Sequence, residues 1–213
     1  MEFKQTSLDN GLTIIAEINP DAASIAAGFF VRTGSRDETP EVSGVSHFLE
    51  HMTFKGTDRR SAFDVSREFD EMGAQSNAFT SEENTVYWGA VLPEFQTRLL
   101  DLLADMLRPA LRQEDFDIEK NVIKEEIALY EDEPDFRVYE KLMAEHFEAH
   151  PLGNSILGTK ESIGNLTSEG MRAYFARRYS PDNMTLVGVG NVDFGSFVDK
   201  ASGMCSRWRA SRV

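Results

Sequence analysis

The chain has 213 residues, of which 41% are hydrophobic and 27% charged, proportions that are ordinary for a globular protein of one large or two small domains. Its 36 acidic residues outnumber its 22 basic residues, and the resulting net charge of −14 disfavours nucleic-acid binding, because backbone phosphates need a basic surface. No apolar run approaches the roughly 18 residues of a membrane span, so none is predicted.

The pattern of apolar residues predicts alternating strands and helices. In chain order, strands are predicted over 12–18 and 24–32, helices over 43–54 and 61–72, strands over 75–80 and 85–91, helices over 93–107, 113–131, 134–149 and 168–178, a strand over 184–190, and the start of a helix near Phe197. Several neighbouring strands look like hairpins. These features predict an α+β fold with a mixed, largely antiparallel sheet and helices packed on it.

The first predicted helix carries the most informative motif of the chain. His47-Phe48-Leu49-Glu50-His51 reads H-x-x-E-H, the order typical of inverzincins. Residues four apart share one face of a helix, so His47 and His51 can bind one metal ion. Glu50 borders the same face and can take a proton from water. The alternative is a surface helix that carries two histidines by chance.

A catalytic zinc usually has three protein ligands, so a third is expected elsewhere. Four residues of the helix predicted over 113–131 form an apolar stripe at 100° per residue: Val122, Ile123, Ile127 and Tyr130. Glu119 and Glu126 fall near the middle of this stripe, where a carboxylate is costly unless it is paired or binds metal. Glu126 is therefore the predicted third ligand and Glu119 a supporting carboxylate. The alternative is that both reach solvent.

These motifs resemble the N-terminal half of the pitrilysin and mitochondrial processing peptidase family of zinc proteases. In that family a glutamate follows H-x-x-E-H at a spacing that Glu126 matches, 75 residues after His51, and a second glutamate precedes it by seven residues, as Glu119 does. Further matches extend over roughly residues 3–200: Phe30–Arg36, Phe54–Thr57, Asn77–Thr80, His150–Gly153 and Tyr179–Met184.

The resemblance implies that residues 1–213 form a single N-terminal zinc-binding peptidase domain without its homologous C-terminal half. It implies a zinc-dependent endopeptidase with Zn²⁺ on His47, His51 and Glu126, Glu50 as general base, and Glu119 as a catalytic residue that tunes the site. The expected partners are a peptide substrate and a C-terminal homologous domain or partner subunit, and homo-oligomers are possible. Without that other half, poor activity is expected.

The segment Asn77-Ala78-Phe79-Thr80 is the predicted substrate-binding strand. The residues alone are consistent with two interpretations of this strand: an exposed edge that pairs with an extended peptide, or an ordinary interior strand. The resemblance favours substrate binding.

Two other functions stay open at this stage. One is a non-catalytic scaffold or assembly subunit of a two-chain complex, although such a subunit has no need of all four motif residues. The other is a metal-binding hydrolase with a different substrate. The lone Cys205 and an N-terminus without a signal-like pattern predict a cytoplasmic location, with periplasmic or organellar locations left open.

Overall fold

Six strands form one mixed sheet in the structure, a computed structural model that describes residues 1–211. The strands are β1 (Glu2–Ser7), β2 (Thr13–Ile18), β3 (Ile25–Val31), β4 (Gln75–Thr80), β5 (Thr85–Val91) and β6 (Met184–Gly190). Their order across the sheet is β1-β2-β6-β3-β5-β4. Only the β2–β6 pair is parallel, so β1 and β4 form the two edges of a largely antiparallel sheet.

The helices pack against one face of this sheet. They are α1 (Val45–Thr53), α2 (Ala62–Glu71), α3 (Gln96–Met106), α4 (Gln113–Glu131), α5 (Pro134–Phe147), α6 (Lys160–Asn165), α7 (Ser168–Arg178) and α8 (Phe194–Cys205). Helix α3 lies on β3 and β5, α1 lies on β4 and β5, and α8 lies on β2. The core therefore sits between this helical layer and the sheet. No helix within residues 1–211 is long and apolar enough to cross a membrane.

The predicted fold class is confirmed, and the predicted bounds of α4 and α7 are those observed. Helix α1 begins two residues later than predicted, because Gly44 adopts a left-handed φ of 87° immediately before it. Strand β1 and helix α6 were not predicted. Strand β1 is an edge strand with no buried residue, so its sequence lacks the apolar alternation that identifies a strand.

One part of the predicted stripe on α4 is wrong. Ile123 and Ile127 are buried, but Val122 and Tyr130 are 42% and 37% exposed. The buried side of α4 is rotated toward Phe116, whose ring stacks on that of Phe48 in α1 at 4.8 Å between centroids. This contact joins the two helices that carry the predicted ligands.

The start of α1 is fixed by a buried carboxylate. Glu38 is 7% exposed and accepts hydrogen bonds from the backbone N–H groups of Gly44 and Ser46, at 2.6 and 2.8 Å. These are donors at a helix N-terminus, where no intrahelical acceptor exists. The Ser46 hydroxyl also lies 2.8 Å from the hydroxyl of Tyr174 on α7. Together these contacts set the position of α1 before the motif begins.

Burial raises the pKa of Glu38 to about 8. At pH 9, where Glu38 is ionised, we expect Glu38→Gln to lower the free energy of unfolding by about 1–3 kcal/mol, because an amide offers one acceptor oxygen where two N–H donors need acceptors. Urea denaturation followed by circular dichroism measures the loss. The matched control is Glu41→Gln on the exposed neighbouring turn, expected to change stability by less than about 0.5 kcal/mol. Equal effects of the two substitutions would contradict this account of the α1 N-terminus.

Candidate metal centre

Helices α1 and α4 bring His47, His51 and Glu126 together. One donor atom from each lies within 4.8 Å of the others. Glu126 Oε1 is 3.8 Å from His47 Nε2, and Glu126 Oε2 is 3.5 Å from His51 Nε2. The two imidazole rings are 4.7 Å apart between centroids, with their planes inclined at 69°. Within residues 1–211 this is the only such cluster of three metal-binding side chains.

The geometry and chemistry of this cluster fit a tetrahedral metal ion. Ligands about 2.0–2.1 Å from a tetrahedral zinc lie roughly 3.3 Å from one another, and the oxygens of Glu126 lie 3.8 and 3.5 Å from the ring nitrogens of His47 and His51. The buried Glu126 Oε2 has no hydrogen-bond partner among the described residues. A carboxylate oxygen shielded from water without a hydrogen-bond donor is unfavourable, so the site favours a cation. Two imidazoles and a carboxylate suit Zn²⁺, and they do not discriminate strongly against Mn²⁺ or Co²⁺.

Glu119 sets the orientation of His51. Its Oε1 accepts a hydrogen bond from His51 Nδ1–H at 2.9 Å, which leaves the lone pair of Nε2 directed toward the cluster. Glu119 is 3% exposed, and its Oε2 forms an ion pair with Lys55 Nζ at 2.5 Å. Burial opposes ionisation of Glu119, but the contacts with His51 and Lys55 outweigh it and lower the pKa of this carboxyl. The sequence analysis missed Lys55, because nothing in the pattern of residues around it indicated a contact with Glu119.

The two histidines differ in protonation. Burial, together with the nearby His51, lowers the pKa of His47 to about 3, so this ring is neutral at physiological pH. Burial also disfavours the charged form of His51, but the hydrogen bond to Glu119 and the charge of Glu126 reverse this and raise the pKa of His51. Burial raises the pKa of Glu126. His51 is therefore the candidate ligand from which a bound metal ion would displace a proton.

Glu50 lies beside the cluster and is held by the sheet. The Thr80 hydroxyl donates a hydrogen bond to Glu50 Oε2 at 2.6 Å. Burial raises the pKa of Glu50, and the bond from Thr80 partly opposes this shift. The sequence predicted Thr80 as a substrate-binding residue, whereas the structure also makes it the partner of Glu50. This contact joins residues 30 positions apart, and no local pattern could indicate it.

Strand β4 is an edge of the sheet beside α1. Ala78 N–H bonds to the side-chain oxygen of Asn77 at 2.9 Å, so this donor points away from β5. Backbone groups alternate in direction along a strand, so those of Ser76 and Thr80 also face the free edge. The side chains of Asn77 and Phe79 point to the other face of the sheet and are exposed, whereas Ala78 is 9% exposed.

Two sequence models of known families match the chain. The family described as insulinase (peptidase family M16) matches residues 13–160, and the domain described as the peptidase M16 inactive domain matches residues 165–212. An uncharacterized zinc protease of Bacillus subtilis, YmxG, is 43% identical over 191 residues, which cover 89% of this chain and 47% of that protein. An uncharacterized zinc protease of Streptomyces coelicolor is 38% identical over 196 residues, which cover 92% of this chain and 43% of that protein.

Solved structures share the fold. A protease from Helicobacter pylori superposes with a TM-score of 0.95 at 23% identity over 100% of this chain and 52% of its own. The periplasmic protease PqqL from Escherichia coli superposes with a TM-score of 0.88 at 26% identity over 99% of this chain and 24% of its own. The chain thus spans about half the length of the curated relatives it matches.

We expect Zn²⁺ affinity to fall as pH is lowered from 8 to 5.5, by roughly tenfold per unit below the pKa of His51, because metal must displace one proton there. Competition with a chromophoric chelator measures the dissociation constant, and an affinity independent of pH would contradict this assignment.

We also expect Glu119→Gln to weaken zinc binding by about 10–100-fold, since the carboxylate that orients His51 is lost. The control is Glu125→Gln, an exposed neighbour on α4 that should bind as the native chain does. Equal affinities of Glu119→Gln and Glu125→Gln would contradict the orienting role of Glu119.

Proposed function

We propose that this chain, which belongs to the insulinase family of peptidases, family M16, is the metal-binding half of a zinc-dependent endopeptidase. One observation carries the proposal. The cluster of His47, His51 and Glu126 lies beside a carboxylate, Glu50, that is held in place by Thr80 at the free edge of a sheet. Metal ligands, a base and a strand-binding edge are the parts that peptide hydrolysis needs.

His47, His51 and Glu126 are the proposed zinc ligands, which leaves a fourth position open to water or substrate. Zinc, when bound, supplies a Lewis acid that lowers the pKa of water and polarises a peptide carbonyl. Glu119 holds the His51 ring in the orientation that binding requires, and Lys55 keeps Glu119 ionised. We assign both residues to positioning, and Glu119 in particular to tuning the basicity of His51.

Glu50 is the proposed general base. Thr80 occupies Oε2, so Oε1 is left to accept a proton from the attacking water. The same oxygen then returns this proton to the nitrogen of the departing amine, so that the carboxylate is regenerated. The raised pKa of Glu50 suits this exchange, because it makes Glu50 a stronger base than an ordinary carboxylate.

Strand β4 is the proposed substrate site, formed by Asn77, Ala78, Phe79 and Thr80. An extended peptide can pair with the outward backbone groups of Ser76, Ala78 and Thr80 through main-chain hydrogen bonds that demand little of its sequence. The Asn77 side chain must release Ala78 N–H for this pairing. A peptide bound along an edge has both ends free, which favours cleavage of internal bonds and unfolded substrates.

A homologous second half, as a domain or partner subunit, is the proposed partner, because the chain spans about half of its relatives. In this proposal the isolated chain binds zinc and cleaves slowly. A scaffold without catalysis is the rival proposal, and the grouping of His47, His51 and Glu126 beside Glu50 supports the catalytic one. The cytoplasmic location stays a prediction from the sequence.

We expect Glu50→Gln to reduce peptide cleavage by roughly 10²–10⁴-fold or more while one zinc per chain is retained, because only the proton acceptor is lost. His51→Ala should lose both zinc and cleavage. Metal content by mass spectrometry and cleavage of a fluorogenic unfolded polypeptide are measured together, with the second half of the Bacillus subtilis relative co-expressed. Glu125→Gln serves as the control. Near-normal cleavage by Glu50→Gln would refute the role of Glu50.

We expect Thr80→Val to lower kcat by roughly tenfold, since a hydrogen bond to a charged group is worth about 1.5–3 kcal/mol and part of this orients Glu50. Loss of this bond also raises the pKa of Glu50 further, so the acidic limb of the pH–rate profile should shift to higher pH. Thr80→Ser restores the hydroxyl and should restore both values. An unchanged pH profile in Thr80→Val would remove Thr80 from the mechanism.

A further inference from the structure

The segment that follows α1 runs beside the segment that precedes α4. Thr57 and Pro109 form an isolated antiparallel bridge, and the N–H group of Ala110 donates a hydrogen bond to the Gly56 carbonyl at 3.1 Å. Gly56 has a φ of 103°, a left-handed conformation that favours glycine. The chain therefore turns sharply after the motif helix and meets the start of the other helix that carries a proposed ligand.

Arg112, the last residue before α4, joins these two segments. Its Nη2 donates a hydrogen bond to the Thr57 carbonyl at 2.7 Å, and its Nη1 donates a longer one to the Lys55 carbonyl at 3.4 Å. A guanidinium presents its donors in a fixed fork, so one arginine can hold two carbonyls of the same turn. The Asp115 carboxylate in the first turn of α4 lies 3.6 Å from Nη1 and balances its charge.

Lys55 links this turn to the metal cluster. Its carbonyl is held by Arg112, and its ammonium Nζ reaches Glu119 Oε2 at 2.5 Å. Glu119 Oε1 in turn accepts the hydrogen bond from His51. A lysine has a long, flexible side chain, and that of Lys55 is 35% exposed, so solvent competes with Glu119 for the ammonium group. A fixed backbone at Lys55 leaves less conformational freedom to lose when this ion pair forms.

We propose that Arg112 is a positioning residue of the metal centre, which acts through Lys55 on Glu119. This inference rests on the proposed function, because it concerns the same metal site. The contacts form a closed ring between the two helices: Arg112 at the start of α4 holds the turn after α1, and Lys55 in that turn holds Glu119 two turns further along α4. Without Arg112 the turn is free to leave α4, Lys55 turns to solvent, and the carboxylate that orients His51 loses its counter-charge.

Arg172 on α7 offers a matched comparison that separates positioning from stability. Its guanidinium donates a hydrogen bond to the carbonyl of Leu111, the neighbour of Arg112. Leu111 is 6% exposed and has a φ of 47°, a conformation that is unfavourable for a residue other than glycine and that this contact helps to hold. Arg172 therefore supports the same junction, but within residues 1–211 it makes no hydrogen bond or ion pair with the turn at 55–57.

The test is a double-mutant cycle on zinc affinity, which isolates the coupling between two residues. Arg112→Gln, Arg172→Gln and Lys55→Met are made singly in the full chain, and each arginine variant is also combined with Lys55→Met. Arg112→Lys keeps the charge beside Asp115 without the fork, and it serves if Arg112→Gln does not fold. Competition with a chromophoric chelator measures each dissociation constant for zinc, and thermal melts measure the stability of each variant.

We expect Lys55→Met to weaken zinc binding by about tenfold, and Arg112→Gln or Arg112→Lys by about 3–10-fold, because both act on the carboxylate that orients a ligand. In the Lys55→Met background, loss of Arg112 should add less than about twofold, since the route through Lys55 is already absent. Arg172→Gln should lower the melting temperature but leave zinc affinity within about twofold of the parent.

Unchanged zinc affinity in the Arg112 variants would overturn the inference. Losses that multiply in the double variant, or an equal loss of affinity in Arg172→Gln, would overturn it too, because Arg112 would then act only through the stability of the fold. A parent chain that binds no zinc is a different result: it would refute the metal centre of the proposed function and this inference with it.

Discussion

Helices α1 and α4 pack with ionisable side chains between them, and the rest of the site depends on how the charges of these side chains are balanced. Glu119 is paired with His51 and Lys55 within the chain, whereas Glu126 Oε2 makes no hydrogen bond among the described residues and faces the imidazoles. A carboxylate oxygen shielded from water without a hydrogen-bond donor is unfavourable, so this arrangement favours a metal cation at the point where the helices meet. The stacked rings of Phe48 and Phe116 hold the helices together nearby.

This constraint explains why the supporting contacts come from so many elements. Glu38 fixes the first turn of α1, Tyr174 on α7 bonds to Ser46, and Thr80 on β4 holds Glu50. A catalytic group displaced by about 1 Å can lose two orders of magnitude in rate. The sheet and the helical layer thus act as the frame that keeps two histidines and two glutamates at fixed separations.

The helical side of the sheet and its β4 edge have different parts in this picture. The helical layer builds the candidate metal centre, and in our proposal the β4 edge offers backbone groups to an extended peptide. The two do not compete, because edge hydrogen bonds lie in the plane of the sheet and the helices pack on its face.

Helical periodicity is local, and for that reason the sequence alone determined the motif on α1, the bounds of α4, and the choice of Glu126 and Glu119. It misplaced Val122 and Tyr130, because the direction in which α4 turns its buried side depends on the contact between Phe116 and Phe48. Lys55, the role of Thr80 and the strand order join residues far apart in the chain, and no pattern within one element encodes them. Likewise, the apolar residues of β2, β3, β5 and β6 were visible in the sequence, but only the tertiary structure decided which of them the helices cover.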